Sequence, residues 1–210
     1  MNKYNFIRMI TKVKFLRILA IKFYSFRSNS NFIPLNESVF PELDVSKTII
    51  DIKKSGYSLN IKLRDDLLTE ILEFCNTNKV CVDRDVNNQI NISTDDNESF
   101  TSKGTIFSYI NSVKKCSAIR KIAYDKNIYE IAKGYLGCEP KFLGTQIFWS
   151  YPKEDASGNP INTPLYGFHY DIDDLKFLKL FFYLNDVDEN RGPHVIIENT
   201  HLDKNLFEIK

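Results

Sequence analysis

The hydrophobic pattern of this chain changes period at Pro140. Before it, apolar residues recur three and four apart, as along one face of a helix. After it, aromatic and β-branched residues crowd into short runs bounded by turn residues. "VSKTIIDIKKSGYSLN" reads as a helix ending near Ser55–Gly56, followed by a short strand at "YSLNI". "LRDDLLTEILEFCNT" sets Leu67, Leu68, Ile71, Leu72 and Cys75 at helical spacing. "CSAIRKIAYDKNIYEIAKGYLG" reads as two helical pieces with Gly137 as the stop signal. The stretch Asp83–Lys103 is rich in Asn, Asp, Ser and Thr and reads as a loop or hairpin. Beyond Pro140, "KFLGTQIFWSYP" reads as a strand, "KEDASGNPINTP" as a loop, and "LKFLKLFFYL" and "HVIIENTHL" as further strands. Helices first and strands last predict an α+β chain whose strands form a sandwich or barrel.

Charge divides the chain differently. Residues 1–36 hold seven basic residues (Lys3, Arg8, Lys12, Lys14, Arg17, Lys22, Arg27) and no acid. The other 174 residues, with 21 basic and 27 acidic groups, carry −6. An acidic main body gives no reason to expect nucleic-acid binding. Residues 1–36 form an amino-terminal extension and 37–210 the main domain, helical over 44–139 and β over 140–210. Charges recur too often in the extension for a membrane span, and its Lys and Arg residues fall all round a helical wheel. Two readings stand for residues 1–27. One is a helix packed onto the domain and followed by a linker at Ser28–Asn31. The other is peripheral contact with an anionic membrane surface. Cys75, Cys81, Cys116 and Cys138 are scattered without a C-x-x-C pair. With no charge-free apolar leader, they are expected as reduced thiols in a cytoplasmic protein.

The chemistry-bearing pattern is "GFHYDIDD". On a strand His169 and Asp171 share a face. A buried imidazole and carboxylate need a partner, either a metal ion or a hydrogen-bond network. Lys179 interrupts the apolar run on the face of Phe181 and Tyr183. It either pairs with an anion, such as a carboxylate of cosubstrate or substrate, or reaches water at an edge. Gln146 and Trp149 lie on the preceding strand, where core packing competes with a pocket role. Asp173 and Asp174 read as solvated turn acids.

"FHYDIDDLKFLKLFFYLNDVDENRGPHVIIENTHL" resembles the core of the phytanoyl-CoA dioxygenase-like family of iron(II)/2-oxoglutarate oxygenases. Shared are a H-x-D opening a strand, a strand ending in an acidic turn, Gly-Pro, and a strand closing on a turn where "ENTH" stands for Gly-Ser-His. "KKSGYSLN" and "IRKIAYDKNIYEIAKGYLGCEP" are similar to the family's helical region, so the resemblance covers roughly residues 45–205. It implies a double-stranded β-helix, a jelly-roll barrel. It implies Fe(II) held by two histidines and one carboxylate, with 2-oxoglutarate as cosubstrate and a lipid or small molecule hydroxylated. His169 and Asp171 are the first two ligands by this match, and Lys179 and Gln146 are cosubstrate-binding candidates. Asn199 replaces the family's glycine, which left-handed backbone geometry at Asn permits. His201 matches the Gly-Ser-His histidine, not the distal ligand. The distal histidine, and the basic residue beyond it that binds 2-oxoglutarate, have no counterpart after Arg191 and His201. The expectation is an oxygenase site that is incomplete and inactive in this chain as given. The alternative is a non-catalytic binding or structural module on the same fold. A minor reading has His194 or His201 complete a different ligand set. Substrate and oligomeric state are not legible.

Overall fold

A computed structural model describes residues 14–27, 32–91, 104, 106–150, 168–169, 171, 174–189 and 191–201. The described residues form helices and a four-stranded antiparallel sheet, an α+β composition. The helices are α1 (Lys14–Arg27), α2 (Val45–Ser55), α3 (Asp65–Thr77), α4 (Ser117–Ala123) and α5 (Lys126–Leu136). The strands are β1 (Val80–Val82), β2 (Gln89–Ile90), β3 (Ile106–Ile110) and β4 (Gln146–Ser150). The chain separates into two compact units. One comprises residues 1–62, 124–142 and 170–210, the other residues 63–123 and 143–169.

In the first unit α2 and α5 pack together. Their ends follow from sequence. The Asp44 carboxylate accepts from the Lys47 N–H at 2.9 Å and caps α2. Gly56, at φ 91°, ends that helix by donating its N–H to the Ile52 carbonyl at 2.9 Å. The left-handed geometry favours glycine, and space demands it, since a Cβ there would stand 2.7 Å from His201 Nδ1. Within α5, a Cβ on Gly134 would overlap Ile49 Cδ1, so the absent side chain allows α2 to approach closely.

Asp125 caps α5 from a fully buried position. Its Oδ1 accepts from the N–H groups of Asn127 (2.8 Å) and Ile128 (3.0 Å). Its Oδ2 accepts from Ser38 Oγ (2.8 Å) and the Val39 N–H (2.6 Å). One carboxylate thereby ties the segment after the extension to the start of α5. At the other end of α5, the Lys176 ammonium donates to the Tyr135 carbonyl and sits 4.5 Å from the Tyr135 ring centre. A cation suits the negative end of a helix. Burial, with Lys53 nearby, holds this ammonium below the usual lysine range. Replacing Lys176 with Gln removes the helix-end cation but also relieves the burial of an ammonium, so stability should change by less than about 1 kcal/mol, measured by urea unfolding.

The second unit holds the sheet, in the order β2-β1-β3-β4. Leu67, Ile71 and Cys75 form the buried face of α3, four residues apart. The Tyr109 hydroxyl on β3 donates to the Cys75 carbonyl at 2.7 Å, joining sheet to helix. β3 is buried on both faces: Phe107 and Ser108 have no exposed surface and Tyr109 has 4%. Burial pushes the Cys75 thiol up to about 12, with Cys116 adding a smaller upward push. All four cysteines are free; Cys75, Cys81 and Cys116 are buried and Cys138 is partly exposed. In native protein at pH 8, a thiol reagent should modify Cys138 quickly and Cys75 only upon unfolding, because the thiolate is the nucleophile. Mass mapping of timed alkylation measures this.

Several expectations need correction. Strands do not wait until after Pro140, because β1, β2 and β3 fall within the stretch read as helical. "YSLNI" is not a strand, and neither "LKFLKLFFYL" nor "HVIIENTHL" forms one among its described residues. A strand is defined by ladder partners, and these segments have none among the described residues, despite strand-like composition. The expected linker at 28–31, the loop 153–164 and most of the polar segment 83–103 lie outside the described residues. The part of that segment that is described does form a hairpin, pairing β1 with β2. The expected helices at 45–55, 65–77, 117–123 and 126–136, and the strand before Pro152, are present.

Candidate functional site

The described residues of the H-x-D segment have no regular secondary structure, with His169 and Asp171 both exposed rather than buried. The division between the two compact units falls between these residues. Gly167 and Tyr170, like Asp173, lie outside the described residues. Asp174 is exposed as expected, and its carboxylate accepts from the Leu175 N–H at 2.7 Å.

Asp171 has a partner in its own chain. Lys179 Nζ donates to Asp171 Oδ2 at 2.7 Å, with the two side chains 36% and 44% exposed respectively. The ammonium also stands 5.4 Å from the Phe177 ring centre. The anion that a lysine in an apolar run requires is thus supplied locally. Exposure alternates only from Phe181 on: Phe181 and Tyr183 are exposed and Phe182 and Leu184 partly covered, whereas Lys179 and Leu180 are both exposed. Phe182 stacks on Phe40, with ring centres 5.9 Å apart.

The segment carrying the other two histidines folds beside it. The His194 N–H donates to the Tyr183 hydroxyl at 2.6 Å, and the His194 ring lies 5.2 Å from that of Phe181. His201 is engaged at the end of α2. Its Nε2 is 3.2 Å from the Lys53 carbonyl oxygen, and its buried Nδ1 has no partner among the described residues. The turn that leads to it is set by Asn199 at φ 64°, the left-handed geometry expected for the residue replacing glycine. The Asn199 N–H donates to the Ser55 carbonyl at 3.3 Å, and the Tyr57 hydroxyl to Glu198 Oε1 at 2.8 Å. These attachments across more than a hundred residues carry no short-range sequence signal. Gln146, on β4, donates its amide to the buried Ser108 Oγ at 2.7 Å, within the sheet. Trp149 faces Phe107 across the β3–β4 ladder and is partly covered.

An imidazole and a carboxylate are suitable donor types for iron(II), for which a two-histidine, one-carboxylate set is the usual arrangement. The donor number falls short. Among the described residues no group of three His, Cys, Asp or Glu side chains is placed to hold one metal ion. Asp171 moreover already carries a cationic partner. What the described residues show at this segment is the Asp171 carboxylate paired with Lys179. No family model, no curated protein and no solved structure matches this chain.

Proposed function

We propose that this chain follows the plan of an iron(II)/2-oxoglutarate oxygenase of the phytanoyl-CoA dioxygenase type, acting on a lipid or small molecule. In this reading His169 and Asp171 are two of the three iron ligands, and the barrel is a double-stranded β-helix. The observation that carries the reading is the ordered series of motifs from Phe168 to His201: H-x-D, apolar run, acidic turn, Gly-Pro and the turn ending in histidine. Left-handed backbone at Gly192 (φ 68°) and Asn199 (φ 64°) supports it, because both fall at the turns the motif series needs. Bound iron would supply oxygen activation. The contribution of this chain would be to orient the metal through an imidazole and a carboxylate, with Lys179 holding the carboxylate in place until a cation arrives.

A second reading, a non-catalytic binding or structural module, is favoured by the Asp171–Lys179 pair itself. A carboxylate neutralised within its own chain needs no metal. Succinate formation from 2-oxoglutarate with iron(II) and oxygen separates the two. The partial donor set predicts no turnover above background by residues 1–210 alone. Fusion to a segment supplying a histidine and an arginine at the family's distal positions should produce turnover that depends on His169. A well-folded fusion without turnover would favour the module.

A further inference from the structure

Helix α1 turns apolar side chains outward. Phe15 is 67% exposed, Leu16 43%, Ile18 43%, Leu19 48% and Phe23 57%. Phe15, Leu19 and Phe23 recur every four residues and so line one side of the helix, with Leu16 beside them. Within this helix of 14 residues Phe15, Leu16, Leu19 and Phe23 fall within an arc of about 100°, while Ile18, Ala20 and Ile21 lie outside it. An exposed apolar row of this size marks an interaction surface.

Charge decides what covers it. The first 36 residues carry seven cations and no acid, and Lys22 on this helix is exposed. A second copy of α1 against this row would bring two such cationic segments together, which is unfavourable. An anionic lipid surface offers both complements at once, acyl chains for the apolar row and negative headgroups for Lys and Arg. The described length of α1 falls short of a membrane span. At 1.5 Å per residue it covers about 21 Å, against a hydrocarbon core of about 30 Å. None of the helices among the described residues is long and apolar enough to cross a membrane.

We infer that α1 is an in-plane anchor for an anionic lipid surface, held by Phe15, Leu16, Leu19 and Phe23 and by the basic residues around them. This inference is independent of the oxygenase reading. Its test is sedimentation of the full chain with vesicles of phosphatidylcholine alone or with about a third phosphatidylserine. The chain should partition at least tenfold more strongly to the anionic vesicles, and less as salt rises. The triple substitution Phe15→Ser, Leu19→Ser, Phe23→Ser should lower that partition at least tenfold. So should the charge reversal Lys12→Glu with Lys22→Glu, which leaves the apolar row intact. In a Phe23→Trp variant, the added emission relative to Trp149 alone should shift to the blue with anionic vesicles only. Equal partition to both vesicle types, no partition to either, or no shift in the added emission of the Phe23→Trp variant would overturn the inference. So would a triple variant that changes from dimer to monomer in the absence of lipid, since the row would then join two copies of the chain.

Discussion

Replacing Asp125 with Ala should lower stability by about 3 kcal/mol, the largest loss expected from any single substitution considered for this fold. The fully buried carboxylate accepts four hydrogen bonds, two from the first turn of α5 and two from Ser38 and Val39. Alanine leaves three backbone N–H groups and one hydroxyl, all partly buried, to find other partners. The individual bonds do not add, so the sum of four charge-assisted bonds overstates the loss. Asp125→Asn should recover part of it. One amide oxygen can still cap α5, since Asn is a good capping residue. Its NH2 group then faces the Val39 N–H, which cannot accept. Ser38→Ala, which removes one of the four donors, should cost about 1 kcal/mol. Urea unfolding followed by circular dichroism gives all three values. An Asp125→Ala protein within about 1 kcal/mol of the parent would show that the capping network does not carry this junction.

The elements that were legible are those whose signals are local. Gly56 and Gly137 after a helical period, and the four-residue spacing of Leu67, Ile71 and Cys75, all act within a turn or two of chain. β1 and β2, of three and two residues, are too short to show an alternating pattern. β3 is buried on both faces, so "IFSYI" shows no alternation of apolar and polar residues either. The run from Leu175 to Leu184 misled in the opposite direction. Its composition suits a strand, but strand formation depends on a partner that composition does not encode.

The candidate site was legible to the same degree. H-x-D is a local pattern and could be read directly. That Lys179 either pairs with an anion or reaches water was also readable. That the anion is Asp171 was not, because an ion pair between residues eight apart depends on how the intervening backbone runs. His201 had a sequence position but no readable neighbour. Its contact with the end of α2 joins residues 148 apart in the chain.

The second large effect expected concerns the same carboxylate. If Asp171 is an iron ligand, the Lys179 ammonium at 2.7 Å competes with the metal for it. Substituting Lys179 with Met removes the competitor and keeps much of the apolar stem, so iron(II) affinity should rise several-fold. The gain should shrink as salt rises, because the pair is partly exposed and screened. Asp171→Ala should act the other way and lower affinity by at least tenfold, since a hard anionic donor is lost from a set that is already short. A Lys179→Met protein with unchanged affinity would mean that the lysine is a structural partner of Asp171 and nothing more.

Anaerobic titration of the full chain with iron(II), followed by equilibrium dialysis, tests the central claim most directly. Parent, His169→Ala, Asp171→Ala, His194→Ala and His201→Ala proteins are compared at neutral pH. The oxygenase plan predicts weak one-to-one binding by the parent, lost on changing either His169 or Asp171 and kept on changing His194 or His201. Binding that survives both the His169 and the Asp171 substitutions would contradict it.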